Sequence, residues 1–212
     1  TYDSTTGYKV TGLAAGYYLV KNTTVPGTGN NTAFSDYILE VLSNEEITPK
    51  SDYPEVDKKV KDTNDSDNTT SDWQDSADYD IGDAVPFQLS ATIPSTYNTY
   101  SDYTITFHDK QAEGFDTPAN FNVYIAKADG TQISVSESGY KVQECSSEKC
   151  EYGGCSFTVE VGDINTIYGD NAFAEGDKIV VEYTAVLNST AQLGSVGNEN
   201  SMYVCHPDGH TP

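Results

Sequence analysis

Tyr103-Thr104-Ile105-Thr106-Phe107-His108-Asp109 alternates apolar and polar side chains, the period of a β-strand with one face in a core and the other toward water. Its apolar face of Tyr103, Ile105 and Phe107 ends in a carboxylate, Asp109. Two further stretches share this irregularity. In Val56-Asp57-Lys58-Lys59-Val60 the face of Val56 and Val60 also carries Lys58, while Lys59 points the other way. In Asn200-Ser201-Met202-Tyr203-Val204 the face of Met202 and Val204 begins with Asn200. A single polar group on such a face is costly to bury. Three of them, near the start, middle and end of one stretch of chain, can satisfy one another.

Working outward, strand-like runs recur at Ala84 to Ile93, Phe121 to Ala126, Tyr140 to Glu144, Ser156 to Val161 and Lys178 to Leu187, between turn-rich connections. Residues 51–212 therefore read as one all-β sandwich. Asp163 is placed to cap a short helical turn near Val161 to Tyr168. The acidic run Asp62 to Asp72 lacks the glycine and terminal glutamate of a calcium loop and reads as a mobile, solvated loop. Upstream, Tyr8 to Val10, Gly16 to Val20 and Tyr37 to Leu42 make three short strands, too few for an independent core. Residues 1–50 are expected to be part of an upstream β domain, ending where Pro49 and Pro54 hold the junction extended.

The chain has 212 residues, with 33 acidic against 11 basic side chains and a formal charge of −22. A surface so acidic repels phosphate backbones and anionic lipid, which argues against nucleic-acid partners and membrane association. No apolar run approaches the roughly 18 residues that span a bilayer, and the first residues do not read as a signal peptide, so the chain is expected to be a mature fragment. The 16 Tyr and 17 Gly, with one Met and one Trp, suit an exported β protein. Cys145, Cys150, Cys155 and Cys205 point to disulfides in an oxidising compartment, with all three pairings open. Together with His206 and His210 they lack the CxxC spacing of a zinc site, and neither metal nor cofactor is expected. The acceptor tripeptides at Asn22, Asn30, Asn68 and Asn188 are chance matches in an Asn- and Thr-rich chain.

A Lys, an Asp and an Asn meeting in a dry core have a specific chemistry. Burial lowers the amine pKa and raises that of the acid, so the proton can pass between them. The neutral amine can attack the asparagine carboxamide carbon, with Asp109 as the assisting acid, giving an amide crosslink and ammonia. Effective molarities of about 10⁵ to 10⁸ M for well-oriented groups make this exchange feasible without an external catalyst. Such a constellation consumes its own residues once, and no nucleophile motif accompanies it, so a turnover enzyme is not expected. Glu182 is the rival acid, but it alternates against Val181, Tyr183 and Ala185 and is expected to face solvent.

Five segments in order, Pro54-Glu55-Val56-Asp57-Lys58-Lys59-Val60-Lys61-Asp62, Ile81-Gly82-Asp83-Ala84-Val85-Pro86-Phe87, Tyr103 to Asp109, Val181-Glu182-Tyr183-Thr184-Ala185-Val186-Leu187-Asn188 and Gly197-Asn198-Glu199-Asn200-Ser201-Met202-Tyr203-Val204, resemble the isopeptide-forming fimbrial domain of Gram-positive pilin subunits. The resemblance implies an immunoglobulin-like (Cna/pilin-type) β-sandwich in a cell-wall-anchored, extracellular pilus. It assigns the crosslink to Lys58 and Asn200, with Asp109 as the catalytic acid; Asn198 shares the face of Asn200 and is the reserve. Tyr8-Lys9-Val10-Thr11-Gly12-Leu13-Ala14-Ala15-Gly16-Tyr17-Tyr18-Leu19-Val20 is similar to the end of a preceding pilin domain. Ile47-Thr48-Pro49-Lys50 is similar to the motif whose lysine sortase joins to the next subunit, with Thr48 where the motif carries tyrosine. The implied partners are other pilin subunits and sortase. The alternative is an adhesin module binding host glycan or matrix protein through exposed aromatics such as Trp73, Tyr97 and Tyr100.

Overall fold

The computed structural model describes residues 2–3, 7–8, 10–21, 32–33, 36–43, 53–64, 67, 69–145, 154–168, 173–174, 176–194, 196–207 and 209–211. In chain order the strands are β1 (Tyr2–Asp3), β2 (Gly7–Tyr8), β3 (Gly16–Lys21), β4 (Thr32–Ala33), β5 (Asp36–Val41), β6 (Val56–Val60), β7 (Thr63–Asn64), β8 (Thr69–Thr70) and β9 (Ala84–Thr92). There follow β10 (Ile105–Gln111), β11 (Ala119–Ala126), β12 (Gln132–Ser134), β13 (Tyr140–Glu144), β14 (Phe157–Val161), helix α1 (Ile164–Tyr168), β15 (Lys178–Val186), β16 (Asn200–His206) and β17 (Gly209–Thr211).

Two antiparallel sheets form the sandwich. One has six strands in the order β13-β14-β10-β16-β17-β4, the other five in the order β12-β11-β15-β9-β6. Alternation decides what lies between them. Val85, Phe87, Leu89 and Ala91 of β9, and Ile179, Val181, Tyr183 and Ala185 of β15, present one buried face. Ile105, Phe107 and Asp109 of β10, Phe157, Val159 and Val161 of β14, and Val204 of β16 present the other. This is the immunoglobulin-like all-β architecture expected of the sequence, with the ends of its expected strands displaced by no more than two residues. The short β17 continues the six-stranded sheet and pairs with β4, so a strand from residues 1–50 joins the same sheet as β10 and β16.

The structure departs from the sequence expectations in three places. The acidic run Asp62 to Asp72, expected as a mobile loop, contains the hairpin β7–β8, in which Thr63 pairs with Thr70 and Asn64 with Thr69. Beside it, Asp67 Oδ1 accepts hydrogen bonds from the backbone N–H and the hydroxyl of Thr69. Val10, expected in a strand with Tyr8, lies beyond β2 and is exposed. Tyr103 and Thr104 precede β10; Asp163 Oδ1 accepts from the Tyr103 N–H at 3.0 Å and from the Asn165 N–H at 3.2 Å, and its Oδ2 accepts from the Thr166 hydroxyl at 2.8 Å. Asp163 thus caps α1, as expected, and also ties it to the entry of β10. Replacing it with Ala removes both functions, and urea denaturation of Asp163→Ala should show a stability loss of about 2 kcal/mol with an unchanged m value.

Candidate functional site

β6 is the edge of the five-stranded sheet and pairs with β9, Lys58 opposite Leu89 and Val60 opposite Phe87, while Val60 also bridges Gln74. Lys58 accordingly points into the sandwich. Lys59 points out, where it pairs with Asp57 at 3.2 Å and Asp75 at 2.6 Å. Across the core, the register of β10 and β16 sets Asp109 opposite Met202 and Gln111 opposite Asn200, so Asp109 and Asn200 are diagonal neighbours on one inner face. The Lys58 amine donates to Asp109 Oδ2 and to Asn200 Oδ1, and its third contact is the Ser201 carbonyl oxygen at 3.5 Å. Three residues up to 142 positions apart in sequence thus converge on one nitrogen.

A fourth group, which the sequence reading treated only as core, completes the arrangement. Tyr183 projects from β15 into the same layer; its hydroxyl donates to Asp109 Oδ2 at 3.0 Å and accepts from Asn200 Nδ2 at 2.9 Å. The signal was present, since an inward-facing tyrosine must find a partner for its hydroxyl. The ring is stacked on Phe87 and Phe121 and meets Phe157 edge-on, while the Lys58 amine lies 5.6 Å from the Phe87 centroid. Together these rings cover much of the polar cluster, leaving Asn200 half-buried.

Electrostatics follow from that enclosure. The Lys58 side chain is 12% exposed and that of Asp109 0%. Burial lowers the Lys58 pKa to about 8, against the opposing pull of the Asp109 carboxylate. Burial raises the Asp109 pKa, against the opposing pull of Lys58 and the hydrogen bonds from Lys58 and Tyr183. Among the described residues, Asp109 Oδ1 is buried without a hydrogen-bond donor, which suits a carboxyl that is protonated part of the time. Both shifts favour the neutral amine and neutral acid, the pair of forms in which an amine is nucleophilic and an acid can donate.

Other expected site residues fall elsewhere. Asn198 is not in the cluster: its carboxamide bonds the Gln192 N–H at 2.9 Å and the Gln192 carbonyl at 3.1 Å. Lys50 and Cys150 lie outside the described residues. Cys145 and Cys155 form a disulfide between Cα atoms 5.6 Å apart, and Cys205 is half-buried on β16. Cys155 Sγ and His108 Nδ1 are 3.7 Å apart, but both cysteine sulfurs of this cluster are committed to the disulfide. Glu182, expected in solvent, is half-buried on the outer face of β15, where Gln88 and Tyr124 donate to it at 3.0 and 2.8 Å. Two of the three aromatics proposed for an adhesive surface are packed inward: Tyr97 is 7% exposed against Phe173, and Tyr100 meets Tyr103 edge-on. Trp73 packs beneath the Lys61 amine.

No family model matches the sequence, and no curated protein is similar to it in sequence. Solved structures are. The fimbrial protein FimP from Actinomyces oris superposes with a TM-score of 0.52 at 15% identity, covering 93% of this chain and 42% of FimP. The pilus backbone RrgB from Streptococcus pneumoniae gives 0.49 at 17% identity, covering 72% and 52%. A 35 kDa C-terminal fragment of the major pilin of Streptococcus agalactiae gives 0.46 at 20% identity, covering 73% and 49%. The chain spans about half or less of the length of these proteins, and with FimP it shares the pilin-type fold.

His108 offers a check on how dry the outer face of β10 is. It stacks on Tyr203 with centroids 4.4 Å apart, and burial lowers its pKa to about 4. NMR titration should place its midpoint near that value. The unfolded chain, with a histidine pKa of about 6.5, binds the proton first, so this residue makes the fold lose stability as pH falls from about 6.5 toward 4.

Proposed function

We propose that the chain is a structural module of a cell-surface pilus, in which Lys58 and Asn200 become joined by a self-formed amide with Asp109 as the assisting acid. The observation that carries this reading is the Lys58 amine, held in the core against both Asp109 and the Asn200 carboxamide. The proton passes from the Lys58 ammonium to the Asp109 carboxylate. The free amine attacks Asn200 Cγ, the bond from Cγ to Nδ2 breaks, and a proton from the former amine leaves with ammonia. One amide, one ammonia and a protonated Asp109 balance the starting ammonium, carboxylate and carboxamide.

The reading explains why the join is made where it is. β6 is the edge strand of its sheet, and β16 belongs to the opposite sheet. An amide between them binds the two layers covalently, so a pull applied beyond positions 58 and 200 does not have to be borne by hydrogen bonds alone. The pilin-type fold and the strongly acidic charge of −22 fit an extracellular shaft element rather than a turnover enzyme. On the same reading, residues 51–212 are the crosslinked domain, residues 1–50 belong to an upstream pilin-like domain that lends β4 to its neighbour, and Lys50 is the lysine that sortase joins to another subunit, on the cell wall.

Intact mass tests the proposal. The protein should be lighter than its sequence by one ammonia, after allowance for disulfides; Lys58→Ala and Asn200→Ala should restore the full mass, and Asn198→Ala should stay light. Unbranched tryptic peptides carrying positions 58 and 200 would sink the idea. By the loop-closure argument used for disulfides, a crosslink over a separation of 142 residues contributes about 5 kcal/mol, so Lys58→Ala should melt well below the parent protein. The rate of ammonia loss should be bell-shaped in pH, because the reactive pair needs one shared proton: it falls above about pH 8 as Lys58 and Asp109 are both deprotonated, and falls in acid as both are protonated.

A further inference from the structure

The leaving nitrogen has its own partner. Attack by Lys58 cannot be completed until Asn200 Nδ2 gains a proton, because an amide ion is a far poorer leaving group than ammonia. Asp109 is the acid of the pair, but the polar atom recorded against Asn200 Nδ2 is not one of its oxygens. It is the Tyr183 hydroxyl, at 2.9 Å, and the same hydroxyl lies 3.0 Å from Asp109 Oδ2. The orientation of the carboxamide is fixed by this network. Tyr183 spends its one proton on Asp109 and must accept from a donor, which places the amide nitrogen toward it and the amide oxygen toward Lys58.

Resting on the crosslinking reading above, we propose that Tyr183 is a catalytic residue of that reaction, the proton relay between Asp109 and the departing nitrogen of Asn200. After attack, Nδ2 is a pyramidal amine with a lone pair, able to accept a proton that the planar amide could not. The Tyr183 hydroxyl rotates from Asp109 to Nδ2 and donates its proton, while Asp109 Oδ2 returns one to the phenol oxygen. The bond from Cγ to Nδ2 breaks and ammonia leaves, and the second proton of the former Lys58 amine passes to Asp109. Tyr183 ends as it began, a neutral phenol, so the step consumes no further reagent. Its surroundings keep it in that form: burial first, and then the Asp109 carboxylate, raise its pKa well above the ordinary phenol value. The ring is immobilised by Phe87, Phe121 and Phe157, leaving hydroxyl rotation as the one motion the relay requires.

The test is a time course of ammonia loss, read by intact mass after cell-free synthesis and timed acid quenching. Tyr183→Phe keeps the ring packing and removes only the hydroxyl. Its ammonia loss should be slower by about 100-fold or more, the scale of a positioned general acid, while its thermal midpoint before crosslinking matches that of Lys58→Ala. A Tyr183→Phe chain that loses ammonia at the parent rate overturns the relay and leaves the crosslink intact; a parent chain that never loses ammonia overturns the crosslink itself. Should Tyr183→Phe fail to fold, 3-fluorotyrosine installed at position 183 decides instead. It retains the hydroxyl and the packing but is the stronger acid, so ammonia loss should accelerate, and a rate equal to that of the parent overturns the proposal.

Discussion

Taking the Lys58 ammonium out of water is costly, and the interior around it is arranged to offset that cost. An unpaired buried charge costs several kcal/mol even after relaxation. The sandwich meets that cost with a carboxylate from β10, a carboxamide from β16 and a tyrosine from β15 that holds the other two in register. Each partner is itself a liability on an apolar face. The four satisfy one another, and the low dielectric that makes each one costly is what brings amine and acid toward their neutral forms.

The sheet order makes this convergence possible. β10 lies beside β16 in one sheet and β15 beside β9 in the other, so the inner faces bring Asp109, Asn200 and Tyr183 together from three strands. Lys58 reaches them from an edge, where the end of a long side chain can enter the core while its backbone stays at the rim. That placement explains the partial exposure of Lys58 against the complete burial of Asp109.

Much of this was legible in the alternation. Tyr103 to Asp109, Val56 to Val60 and Asn200 to Val204 each announced a polar residue on a buried face, because a period of two leaves no freedom about where a side chain points. Tyr183 was harder to see, since a tyrosine on an apolar face looks like core until a hydroxyl partner is sought. Asn198 shares the parity of Asn200 yet precedes the strand, and its carboxamide is spent on the Gln192 backbone. Close packing holds that loop in place: a Cβ on Gly114 would approach the Ala191 Cα to 2.7 Å. The hairpin β7–β8 was hidden by composition, because acidic residues suggested solvation while the β-branched Thr63, Thr69 and Thr70 carried the strand preference. The pairing of short β17 with β4 joins residues far apart in sequence that no local pattern encodes.

The separation of Lys58 and Asn200 along the chain has a topological consequence. With the proposed amide in place, the chain between positions 58 and 200 becomes a closed ring, with the disulfide between Cys145 and Cys155 as a smaller ring inside it. A protease that nicks one surface connection of the large ring opens it without releasing a fragment, since both new ends remain covalently held. Such a ring tolerates a cut that would part an ordinary single-chain connection in two.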